Sequence, residues 1–263
     1  MQTDLVVQHI NDWLKDYLTN SGMKGFVIGI SGGIDSAVTS SLCATTGLRT
    51  LCVEMPIHQA PDQVSRAKKH INNLKEKYAN VSSVEVDLTK TFETFKDSVP
   101  KASSNENEAM SLANTRARFR MATLYYFAAL HRYLVAGTGN KVEDFGVGFY
   151  TKYGDGGVDL SPIADLMKTE VFELGKELDV IESILQAEPT DGLWEDNRSD
   201  VEQIGSTYED LEWAMEFEEK NGDESALTAN QKKALSTYRK FNKANQHKMQ
   251  PIPVCEIPKM LKK

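Results

Sequence analysis

The feature that most constrains this chain is a short apolar run, Gly25-Phe26-Val27-Ile28-Gly29-Ile30, followed at once by Ser31-Gly32-Gly33-Ile34-Asp35-Ser36 and a helical stretch through about Ala44. Strand, glycine turn and helix in that order aim backbone N–H groups and a helix N-terminus at one point, which suits a phosphate. Other motifs compete for the same letters. A Walker A loop needs a lysine after its last glycine, and none is present. The dinucleotide fingerprint fails because Ser31 stands where its second glycine belongs. Gly29-Ile30-Ser31-Gly32-Gly33 does match the G-x-S-x-G elbow, which would make Ser31 a hydrolase nucleophile. That elbow needs an earlier strand to supply an oxyanion donor, and only one helix precedes this run. A turn that merely connects two elements is the plainest alternative.

The rest of the chain repeats the alternation. An amphipathic helix carries Leu5, Val6, Ile10, Trp13, Leu14 and Tyr17. Further strands are expected at Thr50–Glu54, Val84–Val86 and Tyr133–Ala136. Helices are expected from Pro61 to about Tyr78, around Phe92 and Phe95, and from about Glu106 to His131. Strands alternating with such helices predict an α/β fold with a doubly wound, mainly parallel sheet flanked by helices, in a single domain spanning residues 1–263. Residues 1–20 form its N-terminal helix, 186–200 a mobile loop and 247–263 a C-terminal tail. A helix terminus gives an anion only about 0.3–1 kcal/mol, up to roughly 2, too little to hold a triphosphate alone. A metal ion and cationic side chains are therefore expected. Asp35 is one oxygen ligand for Mg²⁺. The strand across the switch point ends in Gly137-Thr138-Gly139-Asn140-Lys141-Val142-Glu143, which offers Thr138 to phosphate and Glu143 to the metal.

Composition narrows the partners. A formal net charge of −8 argues against a nucleic-acid groove. No run approaches the roughly 18 apolar residues of a membrane helix. Cys43, Cys52 and Cys255 show no C-x-x-C spacing, so a reducing cytoplasm is expected.

The Ser31–Ser36 loop resembles the S-G-G-x-D-S signature of the N-type ATP pyrophosphatases. Four further segments are similar to the NAD⁺ synthetases, in order along nearly the whole chain: Arg116-Ala117-Arg118-Phe119-Arg120-Met121, Gly137 to Glu143, Phe149-Tyr150-Thr151-Lys152-Tyr153-Gly154-Asp155-Gly156-Gly157-Val158-Asp159, and Pro189-Thr190-Asp191-Gly192-Leu193-Trp194. The resemblance implies amidation of deamido-NAD⁺ by ammonia, with ATP adenylating the nicotinate carboxylate and AMP and pyrophosphate released. Another acceptor within the pyrophosphatase superfamily is the alternative. The resemblance further implies that Gly29, Ile30, Ser31, Gly32, Gly33, Ile34, Asp35, Ser36, Thr138, Lys168 and Thr190 contact ATP. Arg118, Lys152, Asp159, His247 and Lys248 would contact deamido-NAD⁺, Asp35 and Glu143 would hold Mg²⁺, and Asp35, Lys168 and Lys152 would serve catalysis. It also implies a homodimer.

Each residue has a plainer reading. Arg118 can be a solvated helix arginine, Lys168 the first turn of a surface helix, and His247 a surface residue. Only 24 residues precede Gly25, too few for a glutaminase domain, so free ammonia is the expected nitrogen donor. A regulator that binds nucleotide without turnover is the non-enzymatic rival.

Overall fold

The computed structural model describes residues 1–100, 105–190 and 199–262. Four parallel strands form the sheet in the order β3-β2-β1-β4, with β1 Gly25–Gly29, β2 Arg49–Glu54, β3 Val81–Glu85 and β4 Leu134–Val135. The chain winds from β1 to β3 in one direction and places β4 on the other side of β1. The switch point between β1 and β4 is thus where the sequence puts it, at the mouth of the Ser31 loop. β4 is shorter than the expected Tyr133–Ala136; the Ala136 N–H still donates to the Val27 carbonyl of β1, and Ala136 also bridges Leu160. β3 begins at Val81, earlier than its apolar residues alone suggest. There Val81 pairs with Thr50, along an edge strand with exposed Ser82 and Ser83.

The helices α1 Thr3–Ser21, α2 Ile34–Thr45, α3 Pro61–Lys77, α4 Thr89–Ser98 and α5 Asn105–His131 match the expected ones within a few residues. Local chemistry fixes their ends. Gly22 closes α1 in the left-handed conformation, its N–H donating to the Thr19 carbonyl. Pro61 opens α3, where its missing N–H costs nothing. The sheet is buried on both faces. Phe26 and Ile28 of β1 pack with Leu14 of α1, Leu42 of α2 and Leu74 of α3. Val27, between them, packs on the other side with Phe92 of α4 and Ala128 of α5. That alternation explains why β1 reads as an unbroken apolar run.

Beyond β4 the periodicity gave no elements, yet the chain continues through α6 Lys168–Glu177, α7 Glu182–Leu185, α8 Asp200–Ile204, α9 Tyr208–Glu219 and α10 Ala229–Met249. Ser199, Thr207 and Thr228 cap the N-termini of α8, α9 and α10. α8, α9 and α10 close a separate apolar cluster of Val142, Val147, Ile204, Leu211, Met215, Leu235 and Tyr238. α10 reaches Met249, so His247 and Lys248 lie in its last turn and not in a tail. Of the loop expected at 186–200, residues 191–198 lie outside the described residues.

Candidate active site

The Ser31 loop is tied to itself. The Ser31 N–H donates to Ser36 Oγ (3.2 Å), Ser36 Oγ donates to the Gly33 carbonyl (3.0 Å), and the Gly33 N–H donates to Ser31 Oγ (3.2 Å). Gly32 has φ +84°, and a Cβ there would sit 2.5 Å from the Gln63 carbonyl oxygen of α3. Only glycine fits that approach. Ser31 is a poor hydrolase nucleophile in this setting, since its hydroxyl is held by Ser36 at 3.0 Å and no histidine lines the cleft among the described residues.

Asp35 stands in the first turn of α2 and faces Lys168, the first residue of α6. Lys168 Nζ lies 2.6 Å from Asp35 Oδ2 and 2.9 Å from Glu143 Oε1, and its side chain is only 4% exposed. Lys168 points inward because the turn around it is fixed from outside. Glu170 accepts the Met167 N–H, and Glu212 accepts both the N–H and the hydroxyl of Thr169. Asn140, fully buried, donates to Asp35 Oδ1 (3.1 Å), while its own Oδ1 accepts the Glu143 N–H (3.1 Å). Tyr208, from the start of α9, gives its hydroxyl to Glu143 (2.5 Å) and lies 2.8 Å from Asp200. Glu143 itself sits in a π-helical turn, Val142–Val147.

The electrostatics follow from burial and partners. Burial favours the neutral form of both carboxylic acids. At Glu143 that tendency is outweighed by Lys168, Tyr208 and Asn140, and its pKa falls below the usual value. Asp35 shares Lys168, but burial dominates there and the repulsion of Glu143 adds to it, so its pKa rises. Burial alone would lower Lys168; the two carboxylates reverse this and hold it cationic. Asp144, the next residue, is pushed well above the usual carboxylate range by burial and by Glu143, Asp155 and Asp35. Asp35, Glu143 and Asp200 gather around one ammonium, an all-oxygen donor set with negative charge in excess. That fits a hard divalent cation. No group of three His, Cys, Asp or Glu side chains that could by itself hold a metal ion is found among the described residues.

One cleft is lined by Gly29 through Ser36, Thr138, Glu143, Asp144, Lys168 and Thr190, together with Arg66 and Arg120. Arg66 is held by Asp62 and by the Gly32 carbonyl, and Arg120 by the Met55 carbonyl and Gln59. Every residue that the resemblance assigns to ATP therefore lies along this cleft. Those assigned to deamido-NAD⁺ do not line it. Four gather around the loop at 148–155. Arg118 donates to the Lys152 carbonyl (3.3 Å), Lys152 Nζ to the His247 carbonyl (2.5 Å), and Lys248 Nζ to the Gly148 and Tyr150 carbonyls (2.8 and 2.7 Å). Asp159 stands apart from them. Its oxygens accept the Val135 N–H and the Tyr125 hydroxyl, which anchor the end of β4 to α5.

The sequence matches the NAD synthase family over residues 6–252. The chain belongs to that family. It is 39% identical over 202 residues to the NH(3)-dependent NAD(+) synthetase of Carboxydothermus hydrogenoformans, covering 76% of this chain and 80% of that protein. With the Methanosarcina mazei protein of the same name the identity is 33%, over 98% of this chain and 100% of the relative. Among solved structures, the NMN synthetase of Francisella tularensis superposes with a TM-score of 0.84 at 30% identity, covering 98% of this chain and 100% of that one.

In this NAD synthase chain, Asn140, Tyr208, Asp200 and Arg66 join the site without having been singled out from the sequence. Asn140 lay inside a segment already noted, and its place between Asp35 and the Glu143 turn was the available clue. Tyr208 and Asp200 carried no local signal, because they follow the stretch where the periodicity fails.

Proposed function

We propose that this ligase amidates the nicotinate carboxylate of deamido-NAD⁺ with ammonia, at the expense of ATP. The observation that carries the reading is the Asp35–Lys168–Glu143 cluster, set at the mouth of a glycine loop shaped for phosphate. A carboxylate oxygen attacks the α-phosphorus of ATP, and the bond to the β-phosphate oxygen breaks to release pyrophosphate. Ammonia then attacks the activated carbonyl, the C–O bond to AMP breaks, and the amide nitrogen sheds a proton. Neither step needs a protein nucleophile. Catalysis rests on positioning and on charge neutralisation. The loop N–H groups hold the departing pyrophosphate, Lys168 balances charge beside them, and Thr138 and Thr190 flank the nucleotide. Mg²⁺ would be held by Asp35 and Glu143 and would neutralise the phosphate oxygens. Arg118, Lys152, His247 and Lys248 bind the acceptor from the outer loop.

Ammonia as donor is supported by relatives of nearly the same length that are named NH(3)-dependent. A homodimer is supported by exposed Met110, Tyr126 and Leu130 along α5. A cytoplasmic location rests on cysteine usage, with Cys43 and Cys52 buried as free thiols.

A second reading has one specific observation behind it. The solved relative from Francisella is an NMN synthetase, so nicotinic acid mononucleotide is the competing acceptor. The deciding assay offers protein, Mg²⁺, ATP and ammonia with each acceptor in turn. We expect AMP, pyrophosphate and amide in equal amounts, with the higher kcat/KM for deamido-NAD⁺. A preference for the mononucleotide replaces the acceptor, and ADP with phosphate as products removes the mechanism.

A further inference from the structure

We propose that the C-terminal arm of one copy packs on the outer face of helix α1 of a second copy. The arm, residues 250–262, leaves α10 and carries Ile252, Val254, Ile257, Met260 and Leu261, all exposed, with Val254 at 78% and Met260 at 79%. Five apolar side chains held in water by their own chain represent unused burial, at about 25 cal/mol per Å². Pro251, Pro253 and Pro258 keep the arm from folding back as a long helix. No part of the same chain covers these side chains in the described residues.

The receiving surface is chosen by shape and charge. α1 buries Ile10, Leu14 and Leu18 against the sheet. On its outer side Leu5, His9, Trp13 and Tyr17 recur every fourth residue as an exposed stripe, the Trp13 and Tyr17 rings 5.6 Å apart. Exposed Asp4, Asp12 and Asp16 flank that stripe. Lys15 lies 3.9 Å from Asp12, and α1 has no other lysine or arginine. The arm has the opposite balance. Residues 250–263 hold Lys259, Lys262 and Lys263 against Glu256 alone, in a chain whose net charge is −8. Lys259 and Lys262 make no ion pair among the described residues. An apolar, basic arm thus meets an apolar, acidic stripe, and a two-fold axis lets each copy give one arm and receive one. This inference rests on the homodimer reading above.

The test is sedimentation velocity at micromolar concentration on three proteins: the full chain, a chain ending at Gln250, and the double variant Trp13→Lys/Tyr17→Lys. The full chain should be dimeric. Both altered proteins should dimerise at least about tenfold more weakly, which is ~1.4 kcal/mol. Thermal melting of each checks that the fold is kept, since both changes are on the surface. Cys255 gives a second readout. It is exposed within the arm, whereas Cys43 and Cys52 are buried and burial raises their thiol pKa. Maleimide labelling of Cys255 should slow as the full chain is concentrated. A full dimer unaffected by either change, with labelling independent of concentration, overturns the arm but leaves the dimer standing. Loss on truncation alone overturns α1 as the seat. Arm-dependent binding to vesicles of anionic lipid, with unchanged dimerisation, assigns the arm to a membrane instead. A monomeric full chain removes the homodimer reading together with this one.

Discussion

The inner cleft and the outer loop hold their cations in opposite ways. In the cleft, Lys168 is buried and paired with two carboxylates, so its charge is fixed by side chains that titrate. In the outer loop, Lys152 and Lys248 donate to backbone carbonyls, which carry no net charge. A buried ammonium between carboxylates is costly to remove, because the carboxylates are left uncompensated. A lysine resting on carbonyls is not paired off by a contacting carboxylate, although burial lowers the Lys248 pKa and Asp155 opposes that shift only in part. In the proposed reaction the inner site neutralises charge and the outer one captures the charged substrate.

The sharpest way to break this contrast is Lys168→Ala. Removing one partner of a buried ionic cluster costs roughly 3–5 kcal/mol. We expect a lower melting temperature and kcat reduced by about a thousandfold. A variant that melts like wild type and keeps most of its turnover would show that the cleft is no more tightly coupled than the loop. Gly32→Ala comes next. Its Cβ would meet the Gln63 carbonyl at 2.5 Å and its φ is +84°, so the loop must shift. We expect ATP binding, read by calorimetry, to weaken roughly a hundredfold while the acceptor still binds.

Tyr208→Phe probes the coupling more finely. In the native site burial raises the Glu143 pKa, and Lys168 followed by Tyr208 pulls it below the usual value. Without the hydroxyl, Glu143 must titrate higher. The acidic limb of the kcat profile should therefore move to higher pH, with kcat at its plateau down roughly tenfold. An unmoved limb would mean that Tyr208 only fills space.

How far the sequence discloses this site follows from which interactions are local. The Ser31 loop is legible because one strand, two glycines and one helix start determine it within a dozen residues. The partnership of Asp35 with Glu143 across more than a hundred residues is legible too, since a doubly wound sheet puts the loop after β4 beside the loop after β1. The inward turn of Lys168 is not, because it depends on Glu212 in α9 accepting from Thr169. Tyr208 is hidden for the same reason. The helices after β4 bury their apolar faces against a π-helical turn and one another instead of the sheet, so no strand pattern announces them. Asp159 shows the converse: a motif marks it, and its contacts tie β4 to α5.

The smallest effects separate the members of the outer loop. Lys152→Ala removes a half-buried cation that rests on the His247 carbonyl, worth about 1 kcal/mol. It should raise KM for the acceptor about fivefold, leaving kcat and the KM for ATP unchanged. A fall in kcat instead would favour the catalytic role that the family resemblance gives Lys152. His247 should matter less still. Its ring is exposed, and what it gives Lys152 is its backbone carbonyl. Alanine retains that carbonyl and favours the helix at least as well. His247→Ala should thus lie within about twofold of wild type in KM for the acceptor. A larger rise would mean that the imidazole itself reaches the substrate, and that the outer loop contributes side chains and not only a frame for its lysines.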